Sequence, residues 1–453
     1  MRRWLINVAK NETILIVAAI LALISCFIVP PDADYKSYIH ASTISQLICL
    51  MIVVCGFQRI GVFRIIGSRL LEKVSTMRGL VITLVALTFF SAMFITNDVA
   101  LVTFVPFAVA VLIMAGQEDK TILVVTLMTI GANVGSMLTP IGNAHNLYLK
   151  ALTGMPTMEF LGIMAPYSGT AAVLLVIVIS VVFGGKPVGD LGDLETGVLA
   201  PERNKHQPDE IRITGYGAGY GGWRTIVYSL LFIVCLLAVS DVIPLWVMCV
   251  IGVAVFLFNN RRVFKYVDWG LPLTFCMFFI FIGNMKRVPE FYELARSLVG
   301  GHPLEVAVAS SQVISNVPTT ILLSGFCDQW RDLIIGTNLG GMGTLIASMA
   351  SLISYKNVVR QYPHKKGRYL AVYSAVNVLF LAVLLTLSWI IDRAYTVGEP
   401  VSRLMADCGM SWMRPMVASS VDTPDTPSVL AVLAAEVMLD TPTADDDTAA
   451  TIG

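Results

Sequence analysis

The sequence is poor in charge. Only 14% of its 453 residues are Asp, Glu, Lys or Arg while 56% are hydrophobic, against about 25% charged in ordinary soluble domains. The formal net charge is zero, so no basic face exists of the kind nucleic acid requires, and nucleic acid is excluded as a partner. The eight cysteines (Cys26, Cys49, Cys55, Cys235, Cys249, Cys276, Cys327 and Cys408) form no CxxC pair, which indicates neither a disulfide framework nor a zinc site. HExxH and GxSxG are missing, and with them two common routes to hydrolysis. Inside the long apolar stretches, away from their ends, Asp98 is the only carboxylate and no Lys or Arg accompanies it. It therefore lacks a partner for an aspartyl dyad, an enzyme is disfavoured, and no cofactor is expected.

What is there is apolar sequence in lengths that cross a bilayer. Stretches near 11–29, 42–57, 121–149, 160–183, 223–239, 242–258, 268–284, 330–354 and 367–391 suit a hydrocarbon layer of roughly 30 Å, which predicts nine crossings. Leu23-Ile24-Ser25-Cys26 superficially resembles a lipoprotein cleavage site. Glu12 and the later spans make a retained signal-anchor helix the more economical reading. Of the 31 Lys and Arg, 21 fall in segments 1–10, 58–78, 184–224, 259–267 and 355–368. By the positive-inside rule these lie in the cytoplasm, with the N-terminus, and the expected location is the cytoplasmic (inner) membrane.

Two pairs of polar interruptions break the apolar pattern. Ile95-Thr96-Asn97-Asp98 followed by Gly131-Ala132-Asn133-Val134-Gly135-Ser136 is echoed by Ile314-Ser315-Asn316-Val317-Pro318 followed by Gly336-Thr337-Asn338-Leu339-Gly340-Gly341. Setting Gly131 on Gly336 superposes Asn133 on Asn338, Gly135 on Gly340, Met137 on Met342, Thr139 on Thr344 and Ile141 on Ile346. Unwound backbone is tolerated at membrane depth only where it lines a cavity or is buried in protein, so four such breaks in two related pairs predict one shared polar site.

The predicted fold is an all-α membrane protein of two inverted repeats, each with a re-entrant hairpin and a broken transmembrane helix. The first repeat is 1–183, with hairpin 79–115 and broken helix 121–149; the second is 223–393, with hairpin 303–328 and broken helix 330–354. Hairpin 303–328 is too short for two spans, and Pro318 suits the start of its second half. Segment 79–115 is long enough to cross twice instead, and charge counting does not decide between the two because both return to the same side. The extra crossing at 223–239 turns the second copy over. Arg59 to Lys73 and Lys286 to Leu298 mix aliphatics and charges at helical spacing, as interfacial arm helices or as charged loops. Residues 184–222 read as a flexible cytoplasmic linker, and 394–453 as an acidic, disordered tail, with a short helix over Val429 to Leu439.

Asp98 at mid-bilayer costs roughly 2.5–3.5 kcal/mol on insertion scales, which makes it a functional candidate, with capping of the second half-helix as the structural alternative. Asn97 and Asn316 occupy the two tips, and each offers a carbonyl acceptor and an amide donor, enough to ligate a cation and hold a substrate together. A lone membrane Asn is more often glue between helices; two at matching breaks point to a site. Half-helix N-termini suit an anion, and unwound carbonyls suit sodium. Pro140, Asn143, His145, Asn146, Thr319, Thr320, Thr344 and Ser348 complete the polar neighbourhood.

Ile95-Thr96-Asn97-Asp98-Val99-Ala100-Leu101, Leu138-Thr139-Pro140-Ile141-Gly142-Asn143 and Ser311-Gln312-Val313-Ile314-Ser315-Asn316-Val317-Pro318-Thr319-Thr320 resemble the ion transporter superfamily. Within it the likeness is greatest to the YbiR-like permeases, relatives of arsenite permeases and of divalent-anion/sodium symporters. The resemblance spans roughly residues 10–393. It implies a homodimeric elevator transporter, in which two hairpins and two broken helices slide against a scaffold. It implies a first cation site at Thr96, Asn97, Asn133 and Gly135, and a second at Ser315, Asn316, Asn338 and Gly340. Asn97, Ser136, Asn316 and Thr319 would face the substrate, and Asp98 joins them as a residue-level candidate. The expected activity is ion-coupled secondary transport of a small anion or oxyanion, driven by sodium or protons; the alternative is a sodium/proton antiporter using Asp98. The tips depart from the Ser-Asn-Thr of dicarboxylate symporters, and a charged Asp98 would repel a dianion unless protonated or neutralised by a cation.

Overall fold

Among the described residues the chain forms seventeen helices and two short 3-10 turns, and no β-strand. The computed structural model describes residues 13–407 except 61–65, 68, 71–73, 186, 188–221, 241, 260–263 and 265–266. Almost all of the expected linker, the basic N-terminal segment, most of the first arm helix and the tail beyond 407, with its expected short helix, lie outside the described residues.

The apolar runs become helices α1 (Thr13–Ile28), the short α2 (Tyr35–Tyr38), α3 (Ala41–Ile60), α4 (Met77–Ile95), α5 (Asn97–Met114), α6 (Thr121–Met137), α7 (Ala144–Thr153) and α8 (Thr157–Val182). They continue as α9 (Gly222–Val239), α10 (Leu245–Asn259), α11 (Gly270–Lys286), α12 (Pro289–Val299), α13 (Pro303–Ile314), α14 (Asn316–Ser324), α15 (Trp330–Leu339), α16 (Met349–Gln361) and α17 (Lys366–Asp407). Helix α12 is the second arm helix, turned 106° from α11. Three boundaries differ from expectation. The stretch expected to be a disordered tail starts as helix, because α17 runs on to Asp407. Asn133 to Ser136 stay helical inside α6, and the chain unwinds only at 138–143. Pro140 explains that position: it lacks an N–H and disfavours helix in the residue before it. The second helix break likewise lies after Asn338 and Leu339, over 340–348.

Each hairpin turns on one residue. Thr96 separates α4 from α5, and Ser315 separates α13 from α14. Helices α13 and α14, of 12 and 9 residues, reach only about 18 and 14 Å, each short of the roughly 30 Å of a hydrocarbon layer. Helices α4 and α5, of 19 and 18 residues, are each long and apolar enough to cross.

The halves exchange partners. Helices α4 and α5 pack on α6, and α13 and α14 on α15, but the second half of each broken helix goes to the other set: α16 lies on α5 and α6, and α7 on α14 and α15. Glycines permit the closest approaches. A Cβ on Gly135 would stand 2.1 Å from the Phe89 carbonyl oxygen of α4, and one on Gly336 would stand 2.6 Å from the Leu304 carbonyl oxygen of α13.

Around these, α3 packs with α9 and α10, and α1 with α11. The buried Asn284 amide donates to Ser25 Oγ at 2.9 Å and Tyr35 Oη at 2.8 Å. Just beyond, Arg287 donates to Asp32 Oδ2 at 2.6 Å and Tyr38 Oη at 3.1 Å, and Tyr38 lays its ring where a Cβ of Gly283 would be. These described helices belong to one compact unit that extends to Leu384; the remainder of α17 belongs to a second unit, in which the Arg393 guanidinium stands over the Trp389 ring.

Candidate functional site

The two tips share a backbone conformation that residues with side chains rarely adopt. Thr96 has φ 71° and ψ 149°, Ser315 φ 73° and ψ 153°; among the described residues these are the only non-glycines with positive φ. Such a region is nearly reserved for glycine and costs of order 1–3 kcal/mol, and it persists where surroundings over-determine it.

The surroundings are matched. The Asn97 N–H donates to the Gly142 carbonyl at 3.2 Å, and the Asn316 N–H to the Ala347 carbonyl at 2.9 Å. Gly142 and Ala347 are equivalent in the register that places Gly131 on Gly336. Within each break the N–H of that residue bonds the carbonyl of Thr139 or Thr344, both at 3.2 Å. The hydroxyls of the two threonines reach back to the hairpins, Thr139 to the Met93 carbonyl and Thr344 to the Gln312 carbonyl. Met93 and Gln312 each stand four residues before the tip asparagine. The hydrogen bonds that close the two halves are therefore the same.

Buried asparagines link the halves. Asn97 Nδ2 donates to Asn133 Oδ1 at 3.0 Å, and Asn133 Nδ2 to the Gly341 carbonyl at 3.4 Å. A Cβ on Gly341 would lie 3.0 Å from Asn316 Nδ2, so Asn316 stands beside the glycine whose carbonyl Asn133 engages. Ser348, which opens α16, donates to Asn133 Oδ1 at 3.4 Å. Reciprocally, Asn338 Nδ2 donates to Asn146 Oδ1 on α7 at 2.7 Å, and the Asn146 amide faces the Ser136 and Thr139 carbonyls at 3.3 and 3.4 Å.

The other candidates are less integrated. Ser315 Oγ donates to the Ala347 carbonyl at 3.3 Å, whereas Ser136 Oγ turns to its own helix, donating to the Asn133 carbonyl. Thr96 is half-buried, and its side chain makes no cap bond. Thr319 is fully buried with an unpartnered hydroxyl. Gly340 directs its carbonyl to the Gln312 amide. Asp98 sits in the first turn of α5, two residues after the cap position at Thr96, and its Oδ1 is buried without a hydrogen-bond partner among the described residues. His145 makes no hydrogen bond of normal geometry through either ring nitrogen among the described residues. Gln312 is the residue that motif reasoning passed over: it lay inside a motif without a role.

An all-helical chain of long apolar helices, folded around buried helix breaks lined by amides and carbonyls, defines a polytopic membrane protein with a polar site inside it. Residues 3–328 match the family described as "Citrate transporter"; the chain belongs to that family and is a membrane transporter. Among its relatives, the inner membrane protein YbiR of Escherichia coli K12 is 29% identical over 341 residues, covering 74% of this chain and 84% of the relative. An uncharacterized transporter, MJ0456, of Methanocaldococcus jannaschii is 28% identical over 347 residues, covering 76% and 87%.

Proposed function

We propose that the protein is an ion-coupled secondary transporter that carries a small anion or oxyanion across the cytoplasmic membrane, as a homodimer and by an elevator movement of two inverted repeats. The observation that carries the reading is the convergence of Asn97 and Asn316, through Asn133 and Gly341, at two breaks closed by equivalent hydrogen bonds. Tip and broken-helix N–H groups give partial positive charge for the anion, while amide and carbonyl oxygens accept a sodium ion or exchange protons through water. Asn97, Ser136, Asn316 and Thr319 hold the solute in this reading. Thr96, Asn97, Asn133 and Gly135 serve one cation position, and Ser315, Asn316, Asn338 and Gly340 outline the other.

The family description makes citrate the first solute to try. A tricarboxylate beside Asp98 is repelled unless that carboxyl is protonated or a cation offsets it, so smaller anions belong in the same panel. The test is uptake of labelled citrate, succinate, sulfate and phosphate into proteoliposomes under imposed sodium or proton gradients. Gradient-driven accumulation of at least one is expected. Uptake of every solute that ignores both gradients would defeat the proposal.

A second reading, sodium/proton antiport, is favoured by one feature: Asp98 Oδ1 is buried in the membrane domain with no hydrogen-bond partner, as suits a carboxyl that alternates between a proton and a cation. Exchange assays on Asp98→Asn separate the two readings.

A further inference from the structure

The two breaks are closed by equivalent hydrogen bonds and differ in the residue that reaches them from the hairpin. Four residues before the tip asparagine, the first hairpin has Met93 and the second has Gln312. Gln312 Nε2 stands 2.9 Å from the Gly340 carbonyl oxygen, 2.9 Å from that of Met342, and 3.2 Å from that of Val308 in its own helix. Two of these oxygens, those of Gly340 and Met342, belong to unwound backbone, the kind of acceptor that such backbone offers a cation, and here an amide nitrogen occupies the point between them.

The orientation of that amide is fixed by chemistry. Gln312 Oε1 accepts the Thr344 N–H at 2.8 Å; flipping the group would set its oxygen against two carbonyl oxygens and its NH₂ against an N–H. The chain is also shaped around it. Gly343 has φ +107°, and a Cβ there would lie 2.4 Å from Oε1. In the first break Met93 has no N–H to give, and the Gly135 carbonyl receives only the Leu138 N–H of its own chain, at 3.3 Å.

We propose that the Gln312 amide is a built-in substitute for the second coupling cation, so that each chain takes up at most one such ion, at the first break. This rests on the transport reading above, and it fixes the number of ions that reading uses. The partial positive charge of the amide hydrogens satisfies the Gly340 and Met342 carbonyls without adding a full charge to the buried site. Its place in the chain makes it a permanent occupant.

The experiment is equilibrium binding of radioactive sodium to the purified full-length protein in detergent, by scintillation proximity, comparing wild type with Gln312→Ala and with Gln312→Met, which copies the first break and preserves side-chain volume. Wild type is expected to bind no more than one sodium ion per chain, and each folded variant one more than wild type. A wild type that binds two, or folded variants that bind no more than wild type, would overturn the proposal. If neither variant folds, the wild-type count alone decides. A bracing role for Gln312 would lower thermal stability and leave the count unchanged. Failure of the transport reading looks different: no labelled anion is taken up although the sodium counts are as expected.

Discussion

Thr96 and Ser315 hold φ values of 71° and 73° that glycine enters freely. Replacing either by glycine relieves strain of order 1–3 kcal/mol and returns about 0.5–1 kcal/mol through a more flexible unfolded chain. Thr96→Gly should therefore melt higher than wild type in detergent, by a net of about 1 kcal/mol, and a lower melting point would contradict the strain; Ser315→Gly also gives up the Ser315 Oγ bond to the Ala347 carbonyl, worth about 1 kcal/mol, and should gain less. Asp98→Asn tests the neighbouring carboxylate. Antiport by Asp98 requires loss of sodium/proton exchange, whereas an anion carrier keeps uptake and gains on multiply charged solutes, since a like charge is gone. The importance of Asn97, Asn316, Asn133 and Asn338 was legible in the sequence because polar residues in apolar surroundings stand out. Gln312 was not, since its value comes from two carbonyls and an N–H delivered by a segment 28 to 32 residues away.

Helices α4 and α6 touch backbone to backbone at Gly135, where an added Cβ would stand 2.1 Å from the Phe89 carbonyl oxygen. Gly135→Ala must push the helices apart, at a cost of about 1–3 kcal/mol or more for overpacking, and should reduce the folded yield; Gly169→Ala, which meets open space on α8, should leave it unchanged. At the end of α11, Arg287 holds the Asp32 carboxyl below its ordinary value of 3.8. A lowered carboxylate pKa contributes stability above the unfolded value, and that stability is lost as pH falls through the folded one. Asp32→Asn should thus melt slightly lower than wild type at neutral pH, with the gap closing as pH falls through the lowered carboxyl value and narrowed by salt because the pair is exposed; a gap that persists in strong acid would refute the clasp. The apolar runs gave away nearly every helix because their length has one physical use in a bilayer. Break positions were off by several residues: small polar residues mark where a helix can open, but Pro140 and the glycines at 340, 341 and 343 decide where it does.

At the scale of the whole molecule, the defining arrangement is the exchange in which α16 joins α5 and α6 while α7 joins α14 and α15. It ties the breaks together through two buried asparagines, Asn133 donating to the Gly341 carbonyl and Asn338 to Asn146 of α7. The repeat was visible in the register of Gly131 with Gly336; the crossing was not, because sequence records which residues match and not which halves pack together. The most direct measurement is a double-mutant cycle on anion uptake in proteoliposomes, using Asn97→Ala, Asn316→Ala and the pair. Each single change should lower uptake roughly tenfold, the equivalent of one buried hydrogen bond, and the double variant should lose much less than the product of the two because both act on one site. Independent, multiplicative losses, or full uptake with either tip removed, would contradict the claim that the two breaks make a single site.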